Sequence, residues 1–491
     1  MNVGTLSETK RRLLERYFRE GARASVPRAP EIRAEPLNTP APLSLSQEQL
    51  LLRERRNPDG PLLYNECIRL RMEGPLDVPI LEKSLTEIIQ RHEIWRTSYD
   101  MMDGQLVQLV NTSPEEIKLA VVDLRDLPPS RASAEMERLA SGMVQRRFDL
   151  KKGPLLRAKL FRIADEEHFL FLSAHLSVVD GVSVYQVFPS ELAVLYRAFS
   201  SGQNNPLPDL TMQFGDYARW QRQWLQGEET ARQVGYWRRQ LSGKIPVLQW
   251  PVDRPRLVEE TFRGVIRSFA MPSDLVDAVE ALSRQEGVSL FMGLLAGFVS
   301  LLHLYTRQED IIVGTPSPAG RKRSEAQKLL GYFLNPVALR FDLTGNPTFH
   351  ALLRQAQRLT LEALSNDDVP LEVLARELRA DLDPGRHPFF NVAISLQPQM
   401  PELGLQWSVT SMDIGSGGAP WELYVAFIRR PQETSARVQF NPDVFDAATI
   451  TRMMADYQTL LRAVTGNPIV RIAQIDFSLR RRKRAAWAVN K

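Results

Sequence analysis

The stretch Ser173-Ala174-His175-Leu176-Ser177-Val178-Val179-Asp180-Gly181 decides the fold of this 491-residue chain. It follows the short apolar run FLFL at 169–172, which is typical of a buried strand. It precedes residues 182–199, whose apolar positions recur at helical spacing. The stretch is therefore predicted to lie in a loop between a strand and a helix. A histidine followed five residues later by Asp-Gly is a weak signal alone, so the rest of the chain decides its meaning.

Further segments with distinctive residue patterns are spread along the chain. They are 42–50 (PLSLSQEQL), 91–99 (RHEIWRTSY), 214–220 (FGDYARW), 314–321 (GTPSPAGR), 330–336 (LGYFLNP), 366–372 (NDDVPLE) and 386–390 (RHPFF). With 173–181, and in this order, they make the chain resemble the condensation domains of nonribosomal peptide synthetases, which belong to the chloramphenicol acetyltransferase-like superfamily. The resemblance covers roughly residues 42 to 480.

The resemblance gives the 173–181 stretch a specific meaning. It is similar to the His-His-x-x-x-Asp-Gly motif of that family, whose second histidine faces the acyl thioester and the attacking nucleophile. His175, Asp180 and Gly181 match the motif, and Leu176 occupies the position of the catalytic histidine. In the family the aspartate pairs with an arginine that holds the loop in shape, and Arg321 is the candidate here. Because successive strand residues point to opposite faces, we expect His175 to turn into the lobe if Leu176 faces the substrate.

The implied fold is α/β, with two chloramphenicol acetyltransferase-like lobes in a V arrangement and the motif loop at their junction. A substrate tunnel is implied between the lobes, and we assign to it Ser183, Tyr332, Asn335 and Trp421. The implied substrates are acyl and aminoacyl chains on the phosphopantetheine arms of upstream and downstream carrier proteins. The resemblance implies no metal and no cofactor of the domain's own.

Composition shifts divide the chain into five predicted parts. Residues 1–21 contain an amphipathic helix at 6–20 whose apolar stripe either folds back on the body or docks another protein through residues 5–20. Residues 22–41 form a Pro-rich linker, which cannot be helical. Residues 42–190 form the N-terminal lobe, residues 191–477 the C-terminal lobe, and residues 478–491 a basic exit linker.

Composition also limits the class of protein. Hydrophobic residues make up 43% and charged residues 24%, and no run of 18 apolar residues occurs, so we expect a cytoplasmic chain without a membrane anchor. The net charge is +4, but the basic run at 480–484 supplies five positive charges, so the sequence does not predict nucleic-acid binding. Cys67 is the only cysteine, and we expect an inert packing residue rather than a nucleophile.

Three hypotheses for the function remain open. The first is a divergent condensation enzyme that forms an amide between carrier-bound acyl and aminoacyl groups. The second is a non-elongating domain that gates or passes carrier-bound intermediates, or recruits a partner enzyme. The third is an ordinary condensation enzyme in which Leu176 is an engineered or incidental inactivation. Leucine offers neither a lone pair nor a proton, so all three hypotheses depend on what the site does without an imidazole.

Overall fold

The computed structural model describes residues 32–56, 59–112, 116–256, 261–378, 387–410, 414–430 and 433–475. The predicted helix at 6–20 and the exit linker at 478–491 lie outside the described residues, as does the first half of the Pro-rich linker at 22–41.

The described residues form strands and helices in alternation along the chain. The strands are β1 (Ala41–Pro42), β2 (Asn65–Glu73), β3 (Thr97–Met102), β4 (Gln105–Val110), β5 (Ala120–Asp123), β6 (Leu156–Ala164), β7 (Glu167–His175), β8 (Val265–Met271), β9 (Asp310–Ser317), β10 (Asn335–Asp342), β11 (Val392–Leu396), β12 (Trp407–Thr410), β13 (Leu423–Arg429) and β14 (Thr434–Phe440). The helices are α1 (Leu45–Arg56), α2 (Val78–Arg91), α3 (Pro129–Val144), α4 (Phe188–Ser200), α5 (Phe214–Trp224), α6 (Glu228–Gln240), α7 (Ser273–Gln285), α8 (Leu290–Thr306), α9 (Phe349–Leu364), α10 (Leu371–Glu377) and α11 (Ala447–Gly466).

The first lobe is built on a five-stranded sheet in the order β12-β2-β7-β6-β5. Strand β7 lies at its centre and is buried along almost its whole length, which explains the uninterrupted apolar run that precedes the motif. On β2 the alternating Ile68, Leu70 and Met72 face the core shared with helices α2 and α4. Helix α3 packs on the opposite face of the sheet, against Phe161 and Phe171. The motif loop therefore begins at the end of the central, buried strand of this sheet.

The second lobe is built on a six-stranded mixed sheet in the order β10-β9-β11-β13-β14-β8. Strand β11 runs parallel to β9 and β13, and the other pairs are antiparallel. One face of the sheet is apolar and packs against the helices of this lobe, where Phe427 meets Phe298 and Tyr457. The opposite face carries Arg437, in register with the small Ala426 of β13. The two faces of this sheet therefore differ sharply in chemistry.

Helix α8 is buried on nearly every side because it lies between the sheet and the other helices of the second lobe. Among the described residues, no single helix is long and apolar enough to cross a membrane, although α7 and α8 pass that test as a pair bent by 107°.

Helices that lie near the predicted boundary between residues 190 and 191 pack on the first lobe. Helices α4 and α5 follow that boundary or cross it, but their apolar faces pack in the core of the first lobe. Strand β12, from late in the chain, adds an edge to the first sheet by pairing Trp407 with Met72. An apolar helix face does not reveal which lobe will cover it, so the boundary between residues 190 and 191 stays a prediction. The α/β fold itself is confirmed.

Candidate active site

The carboxylate of Asp180 is the centre of a buried frame that fixes the motif loop. Arg321 donates to it from Nε at 2.9 Å and from Nη2 at 2.7 Å. The backbone N of Ser183 donates to it at 2.7 Å, and that of Phe333 at 3.3 Å. Asp180 is 1% exposed and Arg321 is 6% exposed, so the charges are compensated by each other rather than by water. The pairing predicted between Asp180 and Arg321 is present.

Arg321 also connects the motif loop to the segment at 326–333. Its Nη1 donates to the carbonyl oxygens of Ala326 at 2.9 Å and of Leu329 at 2.8 Å, and its guanidinium lies 4.4 Å from the centroid of the Phe333 ring. The hydroxyl of Ser183 accepts from the backbone N of Gly331 at 3.1 Å. This side chain is fully buried, so Ser183 belongs to the frame, whereas the sequence predicted a place on the surface of a tunnel.

His175 points away from the side of the sheet that Leu176 takes, as the strand alternation predicts. Its Nε2 lies 2.9 Å from Glu54 Oε2, and its Nδ1 lies 2.8 Å from Ser177 Oγ. Burial alone would raise the pKa of Glu54, but His175 and Arg147 outweigh it and hold that pKa below its usual range. Ser177, His175 and Glu54 are linked by hydrogen bonds in the order of a nucleophilic triad. Ser177 and His175 are, however, fully buried. The set therefore has no surface on which a substrate could bind.

Leu176 begins a short 3-10 turn at Leu176–Val178 and is half-buried. Its backbone N donates to the Tyr64 carbonyl oxygen at 2.7 Å, which continues the pairing of β2 and β7 by one more residue. Its side chain belongs to a small apolar group that we call the Leu176 cluster. The cluster consists of Leu50, Leu63, Tyr64, Leu176, Phe262, Tyr332 and Leu334. The predicted tunnel residue Tyr332 thus lies in the same cluster as the residue that replaces the histidine.

Gly181 has a backbone conformation outside the left-handed region, so a positive φ is not the reason for glycine here. A Cβ atom at this position would lie 2.7 Å from Gln397 Oε1, just beyond the end of β11. The glycine therefore permits a close approach between the motif loop and the second lobe.

Two further residues predicted to line a tunnel have different surroundings. The Asn335 amide nitrogen donates to the carbonyl oxygens of Asp367 at 2.6 Å and Val369 at 2.9 Å, so its buried side chain holds the 366–369 turn instead. Trp421 is half-buried, and its ring centroid lies 5.2 Å from that of Tyr424. Its indole nitrogen is buried without a hydrogen-bond partner among the described residues. Its assignment to a tunnel stays a prediction.

The polar face of the second sheet was not predicted from the sequence. Tyr424 Oη lies 2.7 Å from Ser395 Oγ, and Gln397 Nε2 donates to the same serine at 3.2 Å. Burial raises the pKa of Tyr424 to about 12, against the opposing effect of its hydrogen bond with Ser395. Tyr424 and Arg437 are both half-buried.

Glu66 and Tyr185 of the first lobe lie opposite this polar face. Burial raises the pKa of Glu66, while the nearby positive charge of Arg437 opposes the shift. Burial also raises the pKa of Tyr185, which lies in the π-helical turn after the motif and also interacts with Arg437. Both side chains remain half-buried. Glu66, Tyr185 and Arg437 therefore form a group of ionisable side chains between the two lobes, and Leu176 belongs to the apolar cluster of the same loop.

The strand-to-helix motif loop, its buried Asp180–Arg321 pair and the two flanking sheets define a class of protein. The chain matches the family model named "Condensation domain" over residues 38–485, and it belongs to this family, the condensation domains of nonribosomal peptide synthetases.

Individual relatives support the same placement. The chain is 39% identical over 444 residues to a linear gramicidin synthase of Brevibacillus parabrevis, an alignment that covers 90% of this chain but 6% of that much longer protein. A solved complex of the X-domain and OxyB from teicoplanin biosynthesis has a TM-score of 0.75 at 25% identity and covers 91% of this chain and 98% of that one. The first condensation domain of the calcium-dependent antibiotic synthetase, in complex with a substrate analogue, has a TM-score of 0.77 at 19% identity, which shows the fold alone. That likeness covers 89% of this chain and 100% of the other.

Proposed function

We propose that this domain joins a carrier-bound acyl thioester to the amine of a carrier-bound aminoacyl group and thereby forms an amide. The observation that supports the proposal is the intact frame around Asp180, in which Arg321, Ser183 and Phe333 hold the motif loop although Leu176 carries no base. The frame is a positioning device, and positioning does not require an imidazole. Both substrates would be presented on phosphopantetheine arms, with no cofactor of the domain's own.

Positioning of the two substrates contributes more to the rate than general-base assistance does, and this favours amide-forming activity without a histidine at position 176. Bringing two reactants into attack geometry supplies roughly 7 to 11 kcal/mol, whereas general-base assistance contributes about 10² to 10⁴ in rate. An α-amine has a pKa near 7.7 to 8.0, so roughly a tenth of it is neutral at pH 7 and is nucleophilic without a base. A hydroxyl or a water molecule has no such advantage. Amide formation is therefore the reaction that best tolerates leucine at position 176.

A single-turnover experiment tests the proposal. Donor carrier proteins loaded with acetyl, hexanoyl or L-alanyl groups are mixed with glycyl-loaded acceptor carriers, and intact-protein mass spectrometry follows the acceptor mass. Glycolyl-loaded acceptors, which carry a hydroxyl in place of the amine, are the matched control. We expect product on glycyl acceptors and much less on glycolyl acceptors. Equal product on both acceptors would contradict the preference for an amine.

A second candidate function is a non-elongating domain that gates carrier-bound intermediates or recruits a partner enzyme. It is favoured by the leucine at position 176 and by the likeness to an X-domain whose structure was solved as a complex with OxyB. Binding of loaded carriers without product from any acyl donor would support this candidate. A role of residues 5–20 in docking a protein partner is a separate proposal, tested by deleting residues 1–21 and measuring the binding of that partner.

A further inference from the structure

Glu66 lies on the same face of the first sheet as Leu176 and close to it. In the β2–β7 register, Glu66 is directly opposite Ala174, and Leu176 is two residues further along the partner strand. His175, between them, keeps an extended backbone with φ −72° and ψ 136°, so the alternation of faces continues to Leu176. Diagonal neighbours in an antiparallel pair are about 7–8 Å apart, within reach of a long side chain. Between them lies only the small side chain of Ala174.

The packing of β2 gives no structural reason for a carboxylate at this position. Ile68, Leu70 and Met72, on the same face of the strand, are buried apolar residues. Glu66 continues their series, yet among the described residues its side chain has neither a hydrogen bond nor a direct ion pair. An enclosed carboxylate without a direct partner destabilises the folded state. The nearby charge of Arg437 offsets this cost only in part, since the pKa of Glu66 stays raised, so we expect the carboxylate to interact with a ligand.

The surroundings of Glu66 are those of a reaction site. Its carboxylate faces the polar surface of the second lobe, where Arg437 supplies a positive charge and Tyr424 a hydroxyl group, and it faces Tyr185 within its own lobe. Burial raises the pKa of Glu66 and thus makes it a stronger base than an exposed glutamate. The adjacent charge of Arg437 favours the ionised form, which is the form that accepts a proton.

We propose that Glu66 is a catalytic residue that accepts the proton of the acceptor amine, a task for which Leu176 has no group. The inference rests on the amide-forming function proposed above. As the amine nitrogen bonds to the thioester carbonyl carbon, one N–H proton passes to the Glu66 carboxylate. When the C–S bond breaks, the departing phosphopantetheine sulfur takes that proton from the carboxylic acid. The carboxylate is thus regenerated, and no further reactant is needed.

The test replaces Glu66 by glutamine, which has the same shape but cannot accept the proton. Glu73→Gln is the matched control, because Glu73 lies at the exposed far end of the same strand. With acetyl donor and glycyl acceptor carriers, we expect Glu66→Gln to lower the single-turnover rate by about 10²-fold or more and Glu73→Gln to leave it unchanged. We expect the melting temperature of Glu66→Gln to equal or exceed that of the wild type, because a neutral amide costs less to bury than a carboxylate.

Two further measurements separate a catalytic role from a structural one. The rate ratio of wild type to Glu66→Gln should fall as pH falls through the raised pKa of Glu66, because the protonated carboxyl group cannot act as a base. Tyr185, Tyr424 and Cys67 have raised pKa values and so stay neutral in this range, and Arg437 supplies a fixed charge. In a Leu176→His background an imidazole becomes available, so the Glu66→Gln effect should shrink at least about tenfold.

Three results would overturn the proposal. They are an unchanged Glu66→Gln rate, a ratio that does not depend on pH, and a Glu66→Gln effect of equal size in the Leu176→His background. In each case the wild type still forms amide, so the proposed function stands while the assignment of Glu66 fails. If the wild type and Leu176→His both form no amide although loaded carriers bind, the proposed function itself fails, and with it the role of Glu66.

Discussion

Replacing Asp180 by alanine tests whether the buried frame holds the motif loop. The change removes the acceptor of two Arg321 hydrogen bonds, at 2.7 and 2.9 Å, and of two backbone N–H groups, from Ser183 and Phe333. The Arg321 side chain, 4% exposed, keeps the carbonyl oxygens of Ala326 and Leu329 but loses its counter-charge. Breaking a buried pair from one side costs roughly 3 to 5 kcal/mol. We expect a loss of this size in the free energy of unfolding.

The assay is urea unfolding of the purified chain followed by circular dichroism, with an exposed ion pair as control. Asp165 also pairs with an arginine, Arg125, at 2.6 Å, but its side chain is 81% exposed. Asp165→Ala should therefore change the free energy of unfolding by no more than about 1 kcal/mol. In the double variant Asp180→Ala/Arg321→Leu the loss should be smaller than the sum of the two single losses, because neither charge is left unpaired. An Asp180→Ala loss no larger than that of Asp165→Ala would refute the reasoning.

Three further predictions follow from the surroundings of single residues. His175→Ala should lower the free energy of unfolding by about 1–3 kcal/mol, because it removes the His175 hydrogen bond from the half-buried Glu54 carboxylate and leaves that carboxylate with Arg147 alone; urea unfolding measures this, and an unchanged stability would contradict a structural role. Cys67 should be alkylated by iodoacetamide about 10³-fold more slowly than a free thiol at pH 8, because burial raises its pKa to about 12; intact-protein mass measures this, and rapid labelling would contradict the burial. Gly181→Ala should lower the free energy of unfolding by about 1 to 3 kcal/mol, because its Cβ would lie 2.7 Å from Gln397 Oε1, whose amide nitrogen is held by Ser395 and Tyr424; an unchanged stability in the same urea assay would show that Gln397 moves aside without cost.

The sequence predicts the parts of the site whose chemistry is carried by charge or by strand alternation. The resemblance to the condensation-domain family implies that Asp180 pairs with an arginine, for which Arg321 is the candidate, and a buried carboxylate needs such a counter-charge; the structure contains the pair. The burial of His175 follows from the opposite directions of successive strand residues.

The tunnel residues are harder to predict because small polar side chains serve frames and surfaces equally well. Ser183 follows the motif loop and Asn335 begins β10. Their side chains instead bond to backbone groups of loops that are distant in sequence, and the sequence does not place those loops beside them. The sequence also does not predict that β12, from late in the chain, joins the first sheet. A strand of four residues carries too little alternation to show which sheet it joins.

Glu66 has a signal in the sequence itself. The alternation of Ile68, Leu70 and Met72, extended back by two residues, puts a carboxylate on the buried face. On β14, in contrast, Arg437 follows the ordinary alternation, on the face opposite the buried Ala436 and Val438. The sequence therefore marks Glu66 as unusual, but only the fold shows that Arg437 of the other lobe lies near it.

The central claim is that Leu176 removes base chemistry from position 176 while the Asp180 frame preserves the positioning of the substrates. The most direct measurement compares single-turnover rates of wild type and Leu176→His with glycyl and glycolyl acceptor carriers and one acetyl donor carrier. We predict that the wild type forms the amide and almost no ester, and that Leu176→His raises ester formation by up to about 10² to 10⁴ and amide formation by less. If loaded carriers bind but neither variant forms amide, or if histidine raises both reactions equally, the claim is contradicted.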